Sequence, residues 1–404
     1  MKVLVVLPRF PYPLDKGDKL RAFNQIKALS KYNDIYLFSV SHDKVSAEDI
    51  EHLQPYCKEI RIVRPPKLAG IINVIRNYFT TKSLQIGYWD SKAARKGYKS
   101  FEKMVQPDVL YSQMVRTMPW ISRSLVPKVM DFQDALSMNV ERRMQVATGL
   151  WHYILHYEFK MLRSTEYNAF KIFDALTIIS EPDSEAIPHR LNADIHIVPN
   201  GVDFEKYKPV DCPKEYDVVF CGNMQYQPNI SAVCYLVEQV MPLVWKEMPE
   251  TKVLLAGASP KKRVRSLASN RVTVTGWVED IRECYTKSRI FAAPMQEGSG
   301  LQNKLLEAMS MKIPCVTTPI ANNPLGGTSG QDILVGDDPQ TLANHILSLL
   351  RDPEAAKIQA EKAYEYVHNH FSWESYGNQL NQILYDVTQK PSKVSLEPKL
   401  DKTL

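Results

Sequence analysis

Residues 294–319 read PMQEGSGLQNKLLEAMSMKIPCVTTP. Glu297, Gly298, Ser299 and Gly300 make a glycine-bearing loop, residues 301–311 carry helical apolar spacing, and Cys315, Val316 and Thr317 make a short apolar strand. A further apolar strand, residues 290–294, precedes the loop. Strand, loop, helix and strand in that order are the building unit of a parallel sheet. Ligands of such sheets sit where strand ends meet a helix N-terminus. Free N–H groups and the helix dipole favour a phosphate there, and glycine lets it approach the backbone. Gln302, Asn303, Lys304 and Glu307 gather polar groups at one end of an otherwise apolar helix. A capped helix with a solvated N-terminus reads from the same residues. The rest of the chain favours the ligand.

Outward from this stretch the same pattern recurs. Upstream, strand 218–221 leads to the loop Gly222-Asn223-Met224, and a helix follows Pro228. Strands 253–256 and 272–275 come next, the second ending at Gly276-Trp277. Downstream, residues 333–335 make a late strand, and residues 339–350 and 354–370 are helices. Asn200-Gly201-Val202-Asp203 closes the first half, and residues 207–216, with two prolines and several charges, read as a linker.

The first half opens with strand 3–7, a proline-rich loop, a helix over 19–31 and strand 35–40. Its loop is not GxGxxG, which argues against nicotinamide or flavin binding. Lys16-Gly17-Asp18 stands at the end of the first strand, either facing a polar ligand such as an acceptor or serving as a plain turn. Residues 107–112 and 127–132 are strands, with Asp131, Gln133, Asp134 and Ser137 at the end of the second. Carboxylates so placed orient an acceptor hydroxyl or act as a base; Asp134 or Ser137 equally suits a helix N-cap. Helical segments over 140–173 and strands 175–180 and 195–199 complete this half.

At 404 residues the chain is too long for one compact core, and two α/β domains are expected. A net charge of +5 is far from the basic excess of a nucleic-acid binder. The six cysteines include no CxxC pair and read as reduced core residues, not zinc ligands. The N-terminal apolar run is too short to span a bilayer and reads as a buried strand, so a cytoplasmic location is expected. Between residues 64 and 103, nine lysines and arginines face only Asp90 and Glu102, interleaved with Ile71, Ile72, Ile75, Tyr78 and Trp89. Such a stretch suits peripheral contact with an anionic membrane, here the inner face of the cytoplasmic membrane. A helix pair on the sheet with its lysines in water is the other reading. The tail, 390–404, is polar and is expected to be disordered.

Several motifs stand in a recognisable order. They are Pro199-Asn200-Gly201-Val202-Asp203, Phe220-Cys221-Gly222-Asn223-Met224, Gly276-Trp277-Val278, Gly298 through Met309, and His370-Phe371-Ser372-Trp373. With these the chain resembles the retaining GT-B glycosyltransferases of family four, and its first half is similar to the bacterial exopolysaccharide-type sugar transferases. The resemblance implies an α/β chain of two doubly wound Rossmann-like domains facing a cleft. Residues 1–205 would bind the acceptor and 206–372 the nucleotide sugar, with a helix over 373–389 crossing back. It implies transfer of a sugar from a nucleotide diphosphate sugar to a glycan or lipid-linked saccharide, with retention, in cell-surface polysaccharide or glycoconjugate synthesis. The donor is a substrate; no cofactor, metal or nucleic acid is implied.

Carried onto this chain, Glu307 would accept the donor's ribose hydroxyls. N–H groups around Gly300, Leu301 and Gln302 would hold the pyrophosphate, and Lys304 would stabilise the leaving diphosphate. Trp277 would lie near the base, and Gly222 and Asn223 near phosphates or sugar. Glu297, Gly298, Ser299 and Asn303 complete the donor set, with Asp131 and Asp134 as catalytic candidates and Lys16, Gly17 and Asp18 on the acceptor. The chain departs from the family in its glutamate spacing: nine residues separate Glu297 from Glu307, where seven are usual, and Ser299 takes the expected place. It also lacks the N-domain histidine and the arginine and lysine after the first C-domain loop. No Asp-x-Asp motif is present, consistent with a metal-independent enzyme. A nucleotide-sugar epimerase on the same frame and a non-catalytic binding protein are the alternatives.

Overall fold

The computed structural model describes residues 1–79, 82–187, 189, 194–298, 300–390 and 392. Ser299 and nearly all of the expected tail therefore lie outside the described residues. The chain divides into two units, Met1–Pro199 with the segment from Trp373, and Asn200–Ser372.

The first unit holds a seven-stranded sheet. Its strands are β1 (Lys2–Leu7), β2 (Asp34–Val40), β3 (Glu59–Val63), β4 (Val109–Gln113), β5 (Lys128–Asp131), β6 (Ala175–Ile178) and β7 (Ile195–Ile197). All pairs are parallel, in the order β3-β2-β1-β4-β5-β6-β7. From Val3 onward strand β1 is apolar, because it is buried on both faces. Val3, Val5 and Leu7 enter one core, while Leu4 and Val6 enter the other. The first of these cores is covered by helix Gly17–Leu29 and by helix Trp373–Thr388, which supplies Leu380, Ile383, Leu384 and Val387. Each such side chain contributes about 1.5–3 kcal/mol of burial, and Asn33 adds a hydrogen bond to Asn381 at 2.7 Å. Strand β3 was not expected. Its residues alternate Glu59, Ile60, Arg61, Ile62, and as an edge strand it stays half-buried.

The second unit holds a six-stranded sheet of β8 (Tyr216–Cys221), β9 (Val253–Ala256), β10 (Val272–Val274), β11 (Ser288–Ala293), β12 (Cys315–Thr317) and β13 (Leu334–Val335). The order is β10-β9-β8-β11-β12-β13, again all parallel. The unit begins at Asn200, ahead of the expected 206, because Val202 is tied to its far end: the Val202 N–H donates to the Phe371 carbonyl at 3.0 Å, and Val202 bridges to Ser372.

Candidate functional site

In the second sheet the strand order reverses between β8 and β11, the switch point at which open α/β sheets take their ligands. The loop after β8, beginning Gly222-Asn223, and the loop after β11, residues 294–302, are therefore neighbours. The β11 loop needs its glycines: Gly298 and Gly300 hold φ of 119° and 73°, a region side chains rarely adopt. Helix Asn303–Ser310 follows, with Gln302 at its N-cap making no side-chain cap. The Gln302 amide donates instead to the Gly300 carbonyl at 3.2 Å. The helix start is thus left uncapped by that side chain, the condition in which its N–H groups can take an anion.

Leu305, Leu306, Ala308 and Met309 bury the other side of this helix, while Lys304 and Glu307, three apart, share a face. Glu307 Oε2 accepts from the Tyr285 hydroxyl at 2.9 Å, and the Tyr207 hydroxyl also bonds this carboxylate. Burial pushes the Glu307 pKa up, and the two tyrosines, Lys206 and Lys304 oppose that shift. A carboxylate has about four acceptor positions, so two tyrosine donors leave room for a ligand's hydroxyls.

Lys304 reaches towards β8. Its ammonium donates to Asn229 Oδ1 and lies 4.7 Å from the Phe220 ring centroid. Burial pushes its pKa down to about 8, partly offset by Glu307. Asn229, not anticipated from the sequence, holds two pieces together: its Nδ2 also donates to the Asn223 carbonyl at 2.9 Å. Backbones are stacked here, since a Cβ on Gly257 would lie 1.7 Å from the Gly222 carbonyl oxygen.

The remaining expected donor residues fall around this point with distinct contacts. Glu297 Oε1 accepts from the Ser231 hydroxyl at 2.5 Å, so this glutamate faces the helix after β8. Asn303 Oδ1 accepts from Asn200 at 2.9 Å. Leu301 is buried. Trp277 follows the edge strand β10 and is 73% exposed, a ring face open to stacking. Tyr207 is no plain linker residue: besides its bond to Glu307, its carbonyl accepts from the Ser310 hydroxyl at 2.7 Å.

In the first unit the switch point lies between β1 and β4. Asp131, at the end of β5, is fully buried. Arg21 grips it with Nε at 2.7 Å and Nη2 at 3.1 Å, and the Tyr111 hydroxyl and Gln133 N–H both lie at 3.0 Å. This corrects the expectation of a base: with no exposed oxygen and its acceptor positions filled, Asp131 anchors the opening helix through Arg21. Asp134 differs. Burial, with Asp183 adding, pushes its pKa up to about 6, and it accepts from Asn139 at 2.8 Å. It does not cap a helix; Ala135 holds that N-cap, and the Ser137 N–H donates to Glu166 at 3.0 Å. Lys16 occupies the N-cap of helix Gly17–Leu29 without a side-chain cap, and Gly17 has open space about its Cα. Asp18 pairs with Arg9 at 2.7 Å. Among the described residues no group of three or more His, Cys, Asp or Glu is placed to hold a metal ion.

Comparison with known proteins agrees with this architecture. Residues 215–352 match the family described as glycosyl transferases group 1. A 44.6 kDa protein in the cps region of Klebsiella pneumoniae is 22% identical over 390 residues, 92% of this chain and 96% of its own length. Sucrose-phosphate synthase from Thermosynechococcus elongatus superposes with a TM-score of 0.68 at 15% identity, over 96% of this chain and 100% of that one. Anabaena Alr3699/HepE, solved in complex with UDP and glucose, superposes with a TM-score of 0.67 at 15% identity, over 95% and 99% of the two chains. With two doubly wound units, the chain is a glycosyltransferase of GT-B fold, and the group 1 family match lies within its second unit, over residues 215–352.

Proposed function

We propose that the second unit binds a nucleotide diphosphate sugar and that its sugar is transferred, with retention, to a glycan or lipid-linked saccharide held by the first unit. The observation carrying this reading is the pairing of Lys304 and Glu307 on one face of the helix that starts at the β8/β11 switch point. A carboxylate already ordered by two tyrosines suits a vicinal diol such as a ribose, and a buried ammonium one turn away suits a diphosphate. The HepE complex with UDP and glucose, and the cps location of the Klebsiella relative, support a sugar nucleotide donor and a polysaccharide product. Retention here would need no protein nucleophile. The acceptor hydroxyl attacks from the face the diphosphate leaves, and a phosphate oxygen takes its proton. The protein's part is positioning and charge stabilisation. Titrating the full chain with UDP-glucose and other nucleotide sugars by thermal shift tests the reading, since a ligand at about 100 times its Kd adds about 2.7 kcal/mol of stability. No shift with any of them overturns it.

The Lys304 ammonium gives this site a pH signature. Its charged form, which attracts the diphosphate, prevails below about pH 8. Donor affinity is therefore expected to fall as pH rises through that value, by about tenfold per unit at most for one proton. Lys304→Met flattens the profile. A wild-type affinity constant from pH 7 to pH 10 contradicts the assignment.

A second feature supports peripheral contact with an anionic membrane. Helix Lys67–Phe79 is turned inside out: Asn77 is buried and Asn73 donates to the Asp90 carbonyl at 2.6 Å, while Leu68, Ile71, Ile72, Ile75 and Tyr78 are exposed. Tyr78 packs on Tyr157 at 5.0 Å between ring centroids, and the same helix as Tyr157 exposes Leu150, Trp151 and Tyr153. Arg76, Lys82, Lys96 and Lys99 lie in the adjoining sequence and are exposed. Among the described residues no helix is long and apolar enough to cross a membrane. An exposed apolar face with basic neighbours suits the headgroup layer, each basic residue adding about 1 kcal/mol. The chain is expected to float with phosphatidylglycerol vesicles at low salt, and Ile71→Ser with Ile75→Ser to stay at the bottom of the gradient. No flotation of the wild type at low salt ends this reading.

A further inference from the structure

Two guanidinium groups stand together at the switch point of the first unit. Arg9 follows β1 and Arg116 follows β4, and these strands are hydrogen-bonded neighbours. Both groups pack on one face of the short helix Leu84–Trp89. Arg9 lies over the Trp89 ring at 5.7 Å, and Arg116 Nη2 donates to Gln85 at 2.8 Å. Gln85 and Trp89 are four residues apart, so the sites that receive the two arginines are about 5–6 Å apart.

Their charges are unequally balanced. Arg9 is paired with Asp18 at 2.7 Å. Among the described residues no carboxylate lies within ion-pair distance of Arg116, and its Nε is buried with no hydrogen-bond partner. Its other contact is Nη1 to Met114 Sδ at 3.5 Å. The carboxylates that do act on it from further off are Asp18, Asp134 and Glu158; Glu158 is already occupied by the Ser83 hydroxyl and the Leu84 and Gln85 N–H groups. A buried cation without a partner is costly, and a second cation beside it makes it costlier. Burial and Arg9 both push the Arg116 pKa down. A small cavity beside Arg9 is lined by Gln113 and Gln133 together with Leu7, Pro8, Ala22 and Met114. Met114 and Gln133, the first residues beyond β4 and the second beyond β5, hold φ of 63° and 66°. Strain of that kind in side-chain-bearing residues gathers where ligands bind.

We propose that Arg9 and Arg116 form an oxyanion subsite that holds a carboxylate or a phosphate carried by the acceptor, so that the enzyme's acceptor is an anionic saccharide. Arg116 supplies the unsatisfied charge and a free N–H, and Arg9 closes the other side, its Asp18 partner keeping it in place. This rests on the reading of the first unit as the acceptor-binding unit. Planar guanidinium groups fit both oxyanions with paired N–H donors; the two sources are separated by the probes.

The test is ligand-observed NMR on the full chain with methyl β-glucoside, methyl β-glucuronide and glucose 1-phosphate, at low salt. One charged probe is expected to bind about tenfold or more tightly than the neutral one, and which one identifies the oxyanion. The preference should vanish in Arg116→Met and in Arg9→Gln, the second variant guarding against misfolding because the Arg9 side chain is 34% exposed. It should persist in Lys304→Met, whose charge belongs to the donor site. Equal binding of all three probes, no binding of either anion, survival of the preference in both arginine variants, or its loss in Lys304→Met each overturns the proposal. Thermal shift with nucleotide sugars, run in parallel, separates the two readings: failure of the donor reading removes that shift and leaves the anion preference intact.

Discussion

Lys304→Met is expected to lower kcat for sugar transfer by roughly 10²–10³-fold, the effect of removing one preorganised donor from a developing oxyanion. On the proposed reading, this residue matters most when the bond from sugar to diphosphate breaks and negative charge grows on the leaving oxygen. Lys304 is partly buried against Phe220, Met295 and Asn229, where a charge interaction is screened less than in water. Methionine suits the same walls, so the fold is expected to hold and the melting temperature to change little. The measurement is initial-rate kinetics with saturating donor and acceptor, alongside the melting curve. A variant that melts as the wild type does and turns over at the wild-type rate removes Lys304 from the mechanism.

Glu307→Gln should act on donor affinity. Hydrogen bonds to a charged group are worth about 1.5–3 kcal/mol each, so losing the charge behind two ribose contacts weakens donor binding by about 10²-fold or more. The variant has a second consequence. Glu307 supports the charged form of Lys304, so its neutralisation moves the fall in donor affinity to lower pH. Stability is expected to go the other way. Burial raises the Glu307 pKa above its ordinary value, so its contribution is favourable at low pH and is lost as pH rises through that raised value. At pH 7 the glutamine variant should therefore melt at the same temperature or higher. That pairing of lost function with retained stability separates a ligand contact from a structural one. Wild-type donor affinity in the variant sinks the assignment.

Much of this was legible in the chain because parallel strands buried on both faces are written as continuous apolar runs. Val253–Ala256 stands in the structure as the sequence reads it, and helix Asn303–Ser310 lies within the expected 301–311. Strand β3 was missed because an edge strand is half-buried and carries Glu59 and Arg61 among its apolar residues. The site was legible only where a local pattern marked it. A glycine loop followed by a polar helix start suggests a phosphate site, so Lys304 and Glu307 could be singled out as candidates, and the structure places them on one helix face at the switch point. Asn229, Tyr285 and Tyr207 could not be singled out. They come from three other elements, and nothing in their own surroundings points to a carboxylate 22 residues from Tyr285 in the chain. Asp131 shows the reverse failure. A strand-end aspartate reads as a reactive group, but Arg21, 110 residues away, consumes it. Arg116 belongs with the missed residues, because a lone arginine in MVRTM says nothing until its neighbours in space are known.

The most direct test of the central claim is a crystal structure of the chain with a bound nucleotide diphosphate such as UDP. The diphosphate is expected at the backbone N–H groups between Gly300 and Asn303 with Lys304 against it, and the ribose hydroxyls on Glu307. A nucleotide bound elsewhere on the second unit, with Glu307 still contacting only Tyr285 and Tyr207, would contradict it.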